Sequence, residues 1–420
     1  DRASDLAVNL LLSGPAGGLT AIQFLGRQIE NEKLISFDMG GTSTDVALID
    51  GKINTTTEGQ IDRYPIGVPM VDMHTIGAGG GSIAFVDSGG MLRVGPQSTG
   101  ADPGPACYAK GGEVATVTDA NLVLGRLLVS SALAGSLTLN LAKAQSAIKT
   151  LSNVLGMSIE ETALGIVTIA NEHMAKAIRL ISVNRGYDPS EFVLASFGGA
   201  GGLHVCAIAE AMQMKRAIVP VYGGVLSALG MLVADRGRQF TRTVSLCTED
   251  AVTQNIEEQF LELAEQGRGE LIDEGLSRSK LQVKYSADCR YHGQSYTLNI
   301  PWVNLRTCRT AFAALHKQRY GYDLSTGIEI VNIRANVIAA AKALTLPLNC
   351  SKGEPDKFEP IKVYGSKEPA KVFSRGQLQT GTEFEGPAIV SEYAATIFVA
   401  PDWKARVDHY GNLLLSKIIE

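Results

Sequence analysis

Asp38-Met39-Gly40-Gly41-Thr42-Ser43-Thr44-Asp45 lies between two short apolar runs, residues 34–37 and 46–49. Both runs have the length and composition of strands, and Asp50-Gly51 then reads as a turn into a third strand at 52–57. The glycine-bearing loop therefore joins strand to strand. A P-loop or a dinucleotide-binding turn would join strand to helix instead. Two adjacent glycines, Gly40 and Gly41, let backbone N–H groups converge on phosphate oxygens, and the hydroxyls of Thr42, Ser43 and Thr44 add donors. The acids at the two ends, Asp38 and Asp45, would repel bare phosphate, but they suit a Mg²⁺ held partly through water. A plain hairpin needs neither two acids nor three hydroxyls.

Glycine is concentrated downstream as well. The chain has 45 glycines in 420 residues, and eleven of them fall between Gly77 and Gly112. That stretch reads as a long connection with little regular structure, and such connections inside compact domains are usually functional. Gly77–Ser82 is a candidate wrap for substrate or phosphate. Asp72 and His74 precede it at i and i+2, hence on one strand face. Imidazole and carboxylate at that spacing suit a metal or a proton-transfer pair. Asp119, ahead of a helix, is either a cap or an acid on the metal side.

Ser13-Gly14-Pro15 reads as a helix start. Helices are expected at 117–128, 141–155 and 159–184, the last ended by Arg185-Gly186 and Pro189. A buried-type strand at 192–196 runs into Gly198-Gly199-Ala200-Gly201-Gly202 and a further helix, so Gly198, Gly199, Gly201 and Gly202 are candidates for close contact with a nucleotide. His204 stands where a dinucleotide fingerprint would have its last glycine, and it reads more readily as a cap or packing residue than as a catalyst. Glu172 and Lys176 have the spacing of a surface ion pair. Cys107 reads as an inert buried thiol.

Composition narrows the function classes. Hydrophobic residues at 45% and charged residues at 19% describe a globular chain. The net charge is −5 with no basic block, so neither nucleic acid nor anionic lipid is an expected partner. No apolar run has the length of a membrane span. Six cysteines lack any CxxC spacing, which argues against zinc and disulfides and points to the cytoplasm. After about residue 236 the texture changes to an α+β pattern, and a Pro/Gly-bearing linker at 349–360 precedes a β-rich tail. Three domains follow: 1–235, 236–348 and 349–420. Arg290-Tyr291-His292-Gly293-Gln294, polar and compact, fits a subunit contact.

The segment 38–45 resembles the phosphate loop of the fold shared by actin, sugar kinases and heat-shock ATPases. Ser13-Gly14-Pro15-Ala16-Gly17-Gly18, Thr75-Ile76-Gly77-Ala78-Gly79-Gly80-Gly81-Ser82-Ile83, Ala101-Asp102-Pro103-Gly104-Pro105-Ala106-Cys107-Tyr108, Thr118-Asp119-Ala120-Asn121 and Gly386-Pro387-Ala388-Ile389-Val390 narrow it further. Together they are similar to the hydantoinase A/5-oxoprolinase family, related to acetone and acetophenone carboxylase subunits. The resemblance implies an α/β fold: an actin/sugar-kinase-like ATPase lobe, an α+β region and a small β-rich C-terminal module. It also implies that the family's first phosphate loop lies in an N-terminal lobe absent from this sequence. It further implies ATP and Mg²⁺ as cofactors, a small cyclic amide as substrate, and a B-type subunit as partner in an oligomer. Asp38, Asp45 and His74 are then the catalytic candidates, and Asp38, Asp72, His74 and Asp119 the metal candidates. A ketone carboxylase subunit and a non-catalytic interaction module are the rival readings.

Overall fold

A computed structural model describes residues 13–56, 59–61, 64–66, 70–129, 137–248, 253–341, 344–349 and 359–418. The chain divides into two compact units, Asp1–Leu232 with Leu344–Glu420, and Val233–Ala343.

The first unit opens with α1 (Ser13–Gln28) and the hairpin β1 (Lys33–Met39) and β2 (Thr44–Asp50), followed by β3 (Lys52–Ile53) and β4 (His74–Ile76). Next come β5 (Ser82–Val86), β6 (Leu92–Ser98), α2 (Val117–Val123), α3 (Leu141–Leu155), α4 (Ile159–Ile181), β7 (Val193–Phe197), α5 (Val205–Ala211), β8 (Arg216–Val219) and α6 (Leu226–Val233). The strand-to-strand reading of the 38–45 loop holds: β1 and β2 pair antiparallel, with Asp38 opposite Asp45. β1, β7 and β8 run parallel, so their carboxyl ends share one edge of the sheet.

That sheet is covered on both faces, which is why its central strands read as unbroken apolar runs. Ile35, Phe37, Met39, Val46 and Leu48 point into a core with α4 residues such as Ile166, Met174 and Ile178. Leu34, Ala47, Ile49, Ala195 and Phe197 point the other way, onto Leu19, Ile22 and Leu25 of α1. Two glycines of Ser13-Gly14-Pro15-Ala16-Gly17-Gly18, Gly17 and Gly18, are held in close packing. A Cβ on Gly17 would stand 2.7 Å from the Ser227 carbonyl oxygen, and one on Gly18 would stand 2.8 Å from the Phe197 ring.

Two expectations change. The glycine-rich stretch after Gly77 is not irregular throughout: β5 and β6 form a hairpin within it. Asp87 makes its turn by accepting from the N–H groups of Gly89 (2.9 Å) and Met91 (3.0 Å). The C-terminal strands also do not stand apart as a third module. These strands are β13 (Lys371–Ser374), β14 (Glu383–Glu385), β15 (Ala388–Ser391), β16 (Thr396–Val399), β17 (Trp403–Val407) and β18 (Leu413–Lys417); β14, β17 and β18 alternate buried and more exposed residues, while β15 and β16 are buried almost throughout. Three of them extend the main sheet, whose order is β14-β17-β18-β8-β7-β1-β2-β3, with β4 also on β2. Trp403, fully buried, joins the α4 core, and its indole N–H donates to Glu210 (2.8 Å). The linker expected at 349–360 lies mostly outside the described residues.

The second unit is a four-stranded sheet of β9 (Arg236–Cys247), β12 (Ile328–Ala339), β10 (Leu281–Tyr291) and β11 (Leu298–Pro301), in that order, with helices α7 (Thr253–Asp273) and α8 (Leu305–Tyr320). Within it Arg290 pairs with Glu329 (2.8 Å), and Gln294 bonds His316 (3.1 Å). Among the described residues no helix is long and apolar enough to cross a membrane.

Candidate functional site

The β1–β2 turn is closed by its own backbone, with Gly40 N–H donating to Ser43 O (3.1 Å). Behind it lies the second glycine cluster. Gly80 N–H donates to Gly40 O (3.0 Å), and Gly81 N–H donates to Gly41 O (2.6 Å). In a trans peptide the N–H points opposite to the C=O. Turning the carbonyls of Gly40 and Gly41 inward therefore turns the N–H groups of Gly41 and Thr42 outward. Gly41 and Thr42 form an exposed tip, so two successive amide donors face solvent, the arrangement that makes an anion nest.

This changes the roles expected of the loop. Gly40 supplies no free amide. The Thr44 hydroxyl is buried and donates to Ala78 O, so it is spent on the fold. Thr42 and Ser43 make no side-chain hydrogen bond to another described residue. The cluster at 77–82 is a floor for the loop, where it had read as a wrap for ligand. A Cβ on Gly79 would stand 2.7 Å from both Gly41 C and Thr42 N, and the Thr118 hydroxyl fixes Gly80 O (2.8 Å) at the first turn of α2. Sequence reasoning missed this support, although the density of glycine signalled that two backbones meet there.

Asp38 and Asp45 face the same side of the hairpin. Asp45 accepts from the Thr75 hydroxyl (2.6 Å). Asp38 is half-buried, and its side chain has no hydrogen bond to a described residue. Burial, and then the Asp45 charge beside it, pushes its carboxyl up to about 6. Against it lies Gly198, with φ +78°, where a Cβ would fall 2.5 Å from Asp38 Oδ1 and 2.4 Å from Met39 O. Ala200 N–H also donates to Met39 O (3.0 Å). The two glycine loops thus meet at the carboxyl ends of β1 and β7, where open α/β sheets bind ligands. Gly198 and Gly199 are accessible. Gly201 and Gly202 are buried, and Cβ atoms there would meet Ser196 Oγ (2.8 Å) and Thr396 O (2.7 Å), so they are packing glycines.

The other candidates fall elsewhere. His74 pairs with Val46, which pairs with Phe37, so it lies on the face of the sheet opposite Asp38 and Asp45. Asp72 forms a two-pronged ion pair with Arg185. Asp119 is fully buried and accepts from Ala106 N (3.3 Å), Cys107 N (2.7 Å), Thr116 N (3.0 Å) and Thr116 Oγ1 (2.7 Å). It is the acid of a capping box on α2, fully buried with both oxygens accepting hydrogen bonds from the fold. Cys107, beside it, is buried, and its thiol is pushed up by burial and by Asp119. His204 is fully buried between Asn171 (2.6 Å) and Asn121 (3.4 Å). Burial, then the Arg126 charge, lowers its pKa to about 3, so it packs as a neutral ring. Glu172 pairs with Arg179 (3.9 Å). No group of three or more His, Cys, Asp or Glu side chains fit to hold a metal occurs among the described residues.

The profile of the hydantoinase/oxoprolinase family matches residues 1–239. The chain belongs to this family. Its relatives include the caprolactamase subunit alpha of Pseudomonas jessenii, 35% identical over 96% of this chain and 61% of that protein. The 5-oxoprolinase of Dictyostelium discoideum is 34% identical over 94% of this chain and 34% of its own length. The crystal structure of the ATP-dependent caprolactamase superimposes with a TM-score of 0.81 at 33% identity, covering 96% of this chain and 61% of that one. A nucleotide-free acetone carboxylase structure superimposes with a TM-score of 0.78 at 23% identity, covering 96% and 61%, a likeness of fold. The chain therefore spans about three fifths of the caprolactamase chain and a third of the oxoprolinase. The mixed α/β architecture is that of its family.

Proposed function

We propose that this chain is the nucleotide-binding A-type component of an ATP-dependent cyclic amidohydrolase, its first unit acting as an actin/sugar-kinase-like lobe. One observation carries the reading: the outward amides of Gly41 and Thr42 lie in the same loop as Asp38, a half-buried carboxylate with no side-chain hydrogen bond to a described residue. Such a group is costly to the fold and makes sense as a ligand-binding group. Two carboxylates opposite one another, Asp38 and Asp45, with few other protein ligands, fit Mg²⁺, which keeps several waters and takes phosphate oxygens. Bound there, Mg²⁺ would neutralise charge on the phosphates of ATP.

The chain's own residues would then position the reaction. The Gly41 and Thr42 N–H groups hold phosphate oxygens, the Thr42 and Ser43 hydroxyls add donors, and Gly198 lets the nucleotide approach the sheet edge. In the step proposed, the carbonyl oxygen of the cyclic amide bonds to the γ-phosphorus while the bond to ADP breaks. The phosphorylated amide is a better electrophile: water adds to its carbon, inorganic phosphate leaves and the ring C–N bond breaks, with a B-type partner completing the reaction. The names of the relatives support this choice of substrate class and of a partner subunit.

The test is ATP hydrolysis by the chain assembled with its partner. Stimulation by a lactam such as 5-oxoproline or caprolactam is expected. Stimulation only by a ketone with bicarbonate would make it a ketone carboxylase subunit. Absence of heat on titrating the chain with millimolar MgADP would make it a non-catalytic module.

A further inference from the structure

Two more segments converge beside the Gly198 loop. Gly198 N–H donates to Gly223 O (3.1 Å). A Cβ on Gly224 would stand 2.7 Å from the Ala394 side chain, and one on Gly199 would stand 3.3 Å from Ala394 O. Residues 198–199, 222–225 and 392–395 thus form one wall within the first unit. Two tyrosines on it are left in solvent, Tyr222 at 67% and Tyr393 at 71% exposure. Tyr222 also has left-handed backbone angles, φ 58° and ψ 35°. Bulky residues rarely take that conformation, and where they do it tends to mark a binding or switch site. It is held in place by Glu392, whose Oε1 accepts the Tyr222 N–H. Burial raises the Glu392 carboxyl above the usual range, so a partly desolvated acid holds a strained residue whose ring packs on little.

The wall stands where a nucleotide would need it. Asp38 lies at the carboxyl end of β1, and Gly198 and Tyr222 come after β7 and β8; these are three neighbouring parallel strands. Two strand spacings of about 4.8 Å put Tyr222 roughly 10 Å along the sheet edge from Asp38. That distance leaves room for a ribose over the accessible backbone of Gly198 and Gly199.

We infer that Tyr222 and Tyr393 seat the flat base of a nucleoside polyphosphate whose phosphates lie at Gly41 and Asp38, with Glu392 as the positioning residue for Tyr222. Aromatic faces stack on any nucleobase without needing a matched hydrogen-bond pattern. The inference rests on the nucleotide reading above, so its test separates base from phosphate.

Calorimetry on the full chain with MgADP and, separately, with inorganic tripolyphosphate and Mg²⁺ makes that separation. Tyr222→Ala and Tyr393→Ala are each expected to weaken MgADP binding about tenfold, the scale of one lost stacking contact. Tripolyphosphate binding should stay within about twofold, since stacking acts only on the base. Tyr222→Phe should keep the affinity for MgADP. Glu392→Ala should weaken MgADP selectively, as the tyrosine variants do. Unchanged MgADP affinity in both alanine variants overturns the seat while leaving the phosphate site intact. Equal losses for both ligands overturn it too, because the tyrosines would then be shaping the loop. If the chain binds neither ligand, the seat and the nucleotide reading fall together.

Discussion

Asp38 and Asp119 lose water in the same unit, Asp38 in part and Asp119 wholly, and the fold treats them in opposite ways. Asp119 receives four hydrogen bonds from the Ala106–Cys107 turn and from Thr116, so its charge is fully satisfied. Asp38 receives none from a described residue and faces a second carboxylate across the hairpin. A buried charge with its partners in place holds structure together, and a buried charge without them is a liability unless something else binds it. On the proposed reading, the first serves the fold and the second a ligand. Removing each should therefore have opposite effects on stability.

Asp38→Asn should show the larger effect. In the assembled enzyme we expect ATP turnover to fall by about three orders of magnitude, the scale of a lost transition-state electrostatic contact. The unliganded chain should become more stable, by about 1 kcal/mol near pH 7.5. The sign follows from the shift. The folded carboxyl titrates near 6 against 3.8 for the ordinary group, so the folded state binds the extra proton between those values. Wild-type stability then falls as pH rises from about 4 to 6, while the Asn variant lacks that slope. Melting curves at pH 4.5 and 7.5 for both proteins would check it, and a destabilised Asn variant at pH 7.5 would assign Asp38 to the fold. MgADP binding should also weaken as pH drops below about 6, with proton release on binding near that pH.

For Asp119→Ala the expectation is a loss of about 3 kcal/mol in denaturant melts, because four donors lose their acceptor at once. The hairpin's cradle depends on α2 through Thr118, so MgADP affinity should fall only in the fraction that has loosened. Calorimetry well below the melting temperature should find near-normal affinity. A stable Asp119→Ala chain that fails to bind would restore Asp119 to the ligand set and erase the contrast with Asp38.

How much of this could be read from sequence follows from range. The β1–β2 loop was legible because its signal is local: apolar run, acid, two glycines, hydroxyls, acid, apolar run. The helix expected at 141–155 is found with those bounds, and the one expected at 159–184 ends three residues earlier, at Ile181, shortly before the Arg185-Gly186 stop. What could not be read was which backbone groups were already spent. The inward turn of Gly40 and Gly41 depends on Gly80 and Gly81, forty residues away, and the fate of the Thr44 hydroxyl depends on Ala78. The Asp38–Gly198 contact depends on parallel pairing of β1 with β7, about 160 residues apart. The C-terminal strands read as a module because alternation reveals an apolar face without naming its partner; Trp403 found that partner in the α4 core.

His74 sharpens the contrast from the other side, with the smallest expected effect. Spacing alone made it a partner for a carboxylate, since residues i and i+2 of a strand share a face. Register decides differently: β4 joins β2 with His74 opposite Val46 and Thr75 opposite Asp45. Thr75, one residue on, is the side chain that reaches the acidic face, and its hydroxyl already binds Asp45. His74→Ala should therefore change ATP turnover by less than about twofold and stability by about 0.5 kcal/mol, the range of a surface substitution. Thr75→Val should weaken MgADP binding several-fold, because it frees Asp45 from its only described partner and lets the two carboxylates rearrange, costing about 1 kcal/mol. Side-by-side titration of the two variants would settle which face holds the site: a larger loss for His74→Ala would move the chemistry across the sheet, away from Asp38.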